Sequence, residues 1–66
     1  MSDIDILVER WQAGDERAAE ALYNQHQGRV FRLAYGILNN QTDAEEVTQE
    51  SLIYALTNIK RYDPVR

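Results

Sequence analysis

The chain offers one histidine, His26, and no cysteine. Nucleophilic catalysis at Ser2, Thr42, Thr48, Ser51 or Thr57 would need a base beside the hydroxyl. None of these residues has the strand-to-helix setting of a nucleophile elbow. A protein zinc site needs several His or Cys ligands, and one imidazole does not supply them. His26 falls inside an apolar stripe and reads as a packed, hydrogen-bonded side chain. The carboxylate pairs Asp15/Glu16 and Glu45/Glu46 are adjacent in sequence, so on a helix they diverge by about 100°. Charge at a helix start accounts for both. There is no glycine-rich phosphate loop. The residues support neither an enzyme nor a bound cofactor or metal.

What remains is recognition chemistry, concentrated in Thr42–Tyr62. At about 100° per residue, Glu45, Glu46, Gln49, Leu52, Ile53, Leu56 and Lys60 gather on one side of a helix. Ala44, Val47, Thr48, Ser51, Tyr54, Ala55, Asn58 and Tyr62 gather on the other, with Ile59 at its edge. The second side is small and moderately apolar, so another helix can approach it closely. A helix facing only its own core has no need of Ile53 and Leu56 opposite that side. Single exposed apolar residues are ordinary. An aliphatic centre flanked by Gln and carboxylates is also what a partner-binding strip looks like. Periodicity supports the two readings equally.

The elements that must position this strip are helices. Thr42 and Glu45 can form a capping box, with Asp43, Glu45 and Glu46 at the positive end of the dipole and Lys60 and Arg61 at the other. Pro64 stops the helix. Ser2 is an N-cap for a first helix with Ile4, Leu7, Val8 and Trp11 on one stripe, and Trp11 is its main anchor. Gly14 ends that helix and Asp15 caps the next. In the second helix Ala19, Leu22, Tyr23, His26, Val30, Leu33, Ala34 and Ile37 share a face, while Phe31 and Tyr35 sit off it. No strand pattern or internal repeat is present. The expected fold is all-α, a small three-helix bundle with helices at 3–13, 16–38 and 43–61. Leu22, Val30, Leu33, Ile37, Val47 and Ala55 are its expected core.

Sixty-six residues allow one small domain with a thin core. No apolar run approaches a membrane span, and the acidic start Met1–Asp5 is wrong for a signal peptide. Eleven acids against seven bases give a net charge of −4. That balance disfavours nonspecific nucleic-acid binding and fits a basic protein partner better.

The sequence LVERWQAGDERAAEALYNQHQGRVFRLAYGILNNQTDAEEVTQESL resembles the front part of region 2 of bacterial RNA polymerase sigma factors of the extracytoplasmic-function group. The resemblance rests on Gly14-Asp15 after a first helix, on Ala21-Leu22-Tyr23, and on the run Val30 to Leu38. Its most specific part is Asp43-Ala44-Glu45-Glu46-Val47-Thr48-Gln49-Glu50-Ser51-Leu52. The family usually has Asp where this chain has Glu46.

The resemblance implies a partner, the clamp helices of the largest subunit of core RNA polymerase. It implies polar contacts from Glu46, Gln49 and Glu50, and apolar ones from Leu52, Ile53 and Leu56. Glu45 joins them from the helical strip, and Glu50 sits toward its flank. It further implies a cytoplasmic transcription-initiation module, with an anti-sigma protein as a further partner. Promoter DNA would be met only through family segments beyond Arg66, so the chain is expected to be a fragment of a longer one. Self-association of the fragment is a further expectation. The alternative is a stand-alone helical adaptor using the same face, which leaves the D-A-E-E-x-x-Q-E spacing unexplained.

Overall fold

Ser2 starts the first helix by accepting the backbone N–H of Asp5 on its hydroxyl at 3.2 Å. The Asp5 carboxylate reaches back to the Ser2 N–H at 3.4 Å, which completes a capping box. The computed structural model describes residues 2–61, and among these it contains three α-helices and no strand. They are α1 (Asp3–Gln12), α2 (Glu16–Leu38) and α3 (Gln41–Arg61). The expected stop at Pro64 lies outside the described residues.

Two short junctions set the topology. Gly14 has φ +101°, a left-handed conformation that suits a residue without Cβ. Asp15 then caps α2 by accepting the N–H of Arg17 at 3.0 Å. At the other end Asn39 takes the left-handed conformation, φ 52°, and closes α2. Asn40 caps α3, with its side-chain oxygen accepting the N–H of Asp43 at 2.9 Å. The expected cap at Thr42 is therefore corrected. Thr42 lies inside the helix, which starts at Gln41, and its capping box with Glu45 does not form. Asn40 stands one residue outside the first helical turn, where an acceptor side chain meets free N–H groups.

The core is small and built from small residues. Ala18, Leu22, Ala34, Ala44, Thr48 and Leu52 are buried. Ala34, Ala44 and Thr48 carry little bulk, which lets α2 and α3 approach closely. The Thr48 hydroxyl donates to the Ala44 carbonyl at 2.6 Å, so its burial leaves no donor unpaired. Val30, Leu56 and Ile59 are half-buried.

Much of the expected core is not core. Leu22 is buried and Val30 half-buried, but Leu33 is 65% exposed and Ile37 83%. Val47 and Ala55 are also exposed. The reason is rotation of α3. The stripe that turns inward is Ala44, Thr48, Leu52, Leu56 and Ile59. It buries Leu52 and half-buries Leu56 and Ile59, in place of Ser51, Tyr54 and Asn58. Each fully buried aliphatic side chain contributes about 1.5–3 kcal/mol, so the larger residues decide the rotation.

The first helix fastens to the far end of α3. Trp11 donates its indole N–H to the Leu56 carbonyl at 2.7 Å. The Gln12 amide donates to the Ile59 carbonyl at 3.0 Å. The Lys60 ammonium lies 4.5 Å from the centre of the Trp11 ring. These contacts make Trp11 the anchor of α1, as its place on the apolar stripe suggested.

Candidate partner-binding face

Asn40 and the Ala44–Thr48–Leu52 stripe fix the rotation of α3, and that rotation decides which side chains meet solvent. Glu45, Glu46, Gln49, Glu50 and Ile53 are exposed. Leu52 is 8% exposed, so the place expected for it on the strip is corrected. It packs inward because it continues the i, i+4 row of Ala44 and Thr48. Leu56, one turn further, is half-buried and keeps only an edge in solvent. Ile53, 53% exposed, is then the main aliphatic group of the strip.

The polar members divide into two sets. Glu45 and Gln49 flank the seam with α2. Together with Thr48, and with Tyr23, Gln27 and Phe31 from α2, they line a hollow of about 240 Å³. The Gln41 amide donates to the Glu45 carboxylate at 3.3 Å and steadies one wall. Phe31 stacks on Tyr35 with ring centroids 6.0 Å apart. Glu46 and Ile53 lie further round the helix, and Glu50 occupies the pole opposite Thr48.

Tyr23, Gln27 and Phe31 were not among the site residues expected from sequence, which placed Tyr23 on the apolar face of α2 and Phe31 off it. The signal was present: they recur at i, i+4 and i+8, a second stripe beside the apolar one on α2. Only the pairing of α2 with α3 shows that this stripe borders Glu45 and Gln49.

The chemistry of the face is acidic and amphipathic. Between Gln41 and Glu50 there are four carboxylates and no base. A carboxylate and an amide over aromatic walls can accept hydrogen bonds from a guanidinium or ammonium group. No group of His, Cys, Asp and Glu among the described residues could hold a metal ion. The His26 Nδ1 lies 2.8 Å from the Leu22 carbonyl. A carbonyl only accepts, so Nδ1 carries the proton and the imidazole is held as a structural group.

Comparison with known proteins places these features in a family. Residues 22–66 match the model of sigma-70 region 2. Over 54 residues the chain is 43% identical to the ECF RNA polymerase sigma factor SigE of Mycolicibacterium smegmatis. That match covers 77% of this chain and 21% of the relative. It is 40% identical over 53 residues to the ECF RNA polymerase sigma factor BldN of Streptomyces coelicolor, covering 80% and 20%. It is 29% identical over 56 residues to the ECF RNA polymerase sigma factor SigW of Bacillus subtilis, covering 85% and 30%. The chain thus spans between a fifth and a third of the length of these relatives. No solved structure matches it significantly.

Proposed function

The chain belongs to the sigma-70 region 2 family, and from that premise we propose that it is a transcription-initiation module that docks on core RNA polymerase through α3. The observation that supports this reading is the exposure of Glu46, Gln49 and Ile53 on one side of a helix that is anchored by its buried Ala44–Thr48–Leu52 stripe. Glu46 and Gln49 stand in the D-A-E-E-x-x-Q-E segment that carries the family likeness, and Ile53 follows it by one turn. The hollow at Glu45 and Gln49 extends the face onto α2 through Tyr23, Gln27 and Phe31.

The partner surface that fits is basic, helical and partly apolar, and the resemblance makes it the clamp helices of the largest polymerase subunit. Ile53 and the free edge of Leu56 supply the desolvated contact. Gln49 offers both donors and acceptors, which suits a mixed surface. Glu45 and Glu46 attract the basic groups, and Glu50 contributes from the flank through longer-range charge. Leu52 acts from beneath, by holding the rotation of α3.

In this reading the protein is not an enzyme and works in the cytoplasm, where core polymerase is found. No helix among the described residues is long and apolar enough to cross a membrane. Promoter reading is not assigned to any residue of this chain. An anti-sigma protein could compete for the same acidic face.

The test is capture of purified core polymerase by the immobilised chain, followed by competition with a clamp-helix fragment of the largest subunit. Retention that the fragment abolishes supports the reading. Absence of retention, with circular dichroism showing a folded chain, removes it.

A further inference from the structure

The two ends of α3 are held by different means. Ala44, Thr48 and Leu52 are buried, but none of the nine residues from Ile53 to Arg61 is. Those last turns are also weak as helix. Thr57, Asn58 and Ile59 are consecutive residues that favour helix less than Ala, Leu or Lys do. The Thr57 hydroxyl donates to the Ile53 carbonyl at 2.8 Å, and the Asn58 amide to the Tyr54 carbonyl at 2.9 Å. Such back-bonds compete with the helical ladder and loosen it. Burial and propensity therefore do not account for a helix that runs on to Arg61.

The first helix supplies what is missing. Trp11 and Gln12 lie in the last turn of α1, and each turns a side-chain N–H onto a carbonyl of α3. Because α3 ends at Arg61, Ile59 is among its last four residues, whose carbonyls have no partner within the helix. The Gln12 amide meets that carbonyl at 3.0 Å. Leu56 stands one turn earlier, and its carbonyl has a second lone pair for the indole N–H. The Lys60 ammonium, over the Trp11 ring, closes the contact from the α3 side.

We infer that α1 is a capping arm for α3: Gln12 and Trp11 hold its last two turns helical from another element, and those turns fray when the arm lets go. Leu56 stands on the held turns and Ile53 at their start. The arm thus keeps the apolar end of the docking strip in place. That consequence rests on the docking reading, whereas the cap itself does not.

Amide hydrogen exchange of the 66-residue chain, followed residue by residue by NMR, tests the cap. Gln12→Leu keeps similar bulk and helix propensity and removes the donor. The amides of residues 57–61 should exchange about fivefold faster, the worth of one net hydrogen bond, while those of 45–52 change less than about twofold. Trp11→Phe should likewise accelerate 57–61 more than 45–52. Gln12→Lys restores a donor beside the negative end of the helix dipole and should return protection to within about twofold of the parent. Glu20→Ala, at an exposed position of α2, should change nothing. Equal protection of 57–61 in the parent and Gln12→Leu overturns the inference. So does acceleration spread evenly over α2 and α3, which a loss of overall stability produces, or a Gln12→Lys chain that stays frayed.

Affinity for a clamp-helix fragment reads the consequence. Gln12→Leu adds no charge and should bind more weakly than the parent, because only the fraction with folded last turns presents Leu56. A parent that binds and a frayed Gln12→Leu chain that binds equally well would sever the cap from docking and leave docking standing. A parent that does not bind removes the docking reading, and the exchange result alone then decides the cap.

Discussion

The indole N–H of Trp11 meets the backbone carbonyl of Leu56 at 2.7 Å, across forty-five residues of sequence. The Lys60 ammonium lies over the same Trp11 ring, so a single side chain ties α1 to the last turns of α3 by two means. Trp11→Phe keeps an aromatic side chain but removes the donor and part of the indole's packing surface. It should lower stability by at least about 1 kcal/mol, the net worth of one hydrogen bond, read as a reduced urea midpoint. An unchanged midpoint would show that the bond contributes nothing.

Leu52 and Leu33 form a contrasting pair. Leu52→Ala opens the centre of a thin core and should cost about 2–5 kcal/mol, enough to unfold much of so small a domain. Leu33→Ala touches a side chain that is 65% exposed and should cost less than about 1 kcal/mol. Thermal denaturation of both variants, followed by circular dichroism, separates them. The reverse order would mean that α3 is rotated the other way.

The start of α3 gives a second contrast. Asn40→Ala removes the acceptor for the Asp43 N–H and should cost about 1 kcal/mol. Thr42→Ala should cost a few tenths or less, since Thr42 is inside the helix and exposed. Denaturant titration of the two variants would show which residue caps α3. A larger loss at Thr42 would restore the T-x-x-E capping box.

Duplex DNA should bind weakly or undetectably at physiological salt. The net charge is −4, and Arg29 and Arg32 alone form no basic stripe. Fluorescence anisotropy with a labelled duplex measures this. Submicromolar, sequence-selective binding by the chain would contradict the charge argument.

Local signals were legible in the sequence because they act within one turn. Ser2, Gly14 and Asp15 end or begin helices where their chemistry says they should. The rotation of α3 was not legible by the same means. Its helical wheel holds two apolar sectors, and the small-residue sector with Val47 and Ala55 resembles a packing face. The choice between sectors depends on the volume that Leu52, Leu56 and Ile59 fill between α1 and α2, which is a property of three helices together. Leu33 and Ile37 were misread for a related reason. Their spacing marks an apolar row, but a row becomes core only where another element covers it, and α1 is too short. Gln49 and Ile53 were legible as exposed because they fall outside either inward sector. The walls of the hollow at Tyr23, Gln27 and Phe31 needed the α2–α3 pairing.

Docking through α3 is tested most directly by the affinity of the chain for a clamp-helix fragment of the largest polymerase subunit, compared across Gln49→Ala and Ile53→Asp. Both side chains are exposed, so both variants should keep the helical circular dichroism of the parent. Each should weaken binding by roughly 1–3 kcal/mol, the cost of truncating or charging a central interface residue. Glu46→Lys should weaken it as well and flatten its salt dependence, and Glu20→Ala on α2 should change little. If Gln49→Ala and Ile53→Asp stay folded and bind the fragment as tightly as the parent does, α3 is not the docking face.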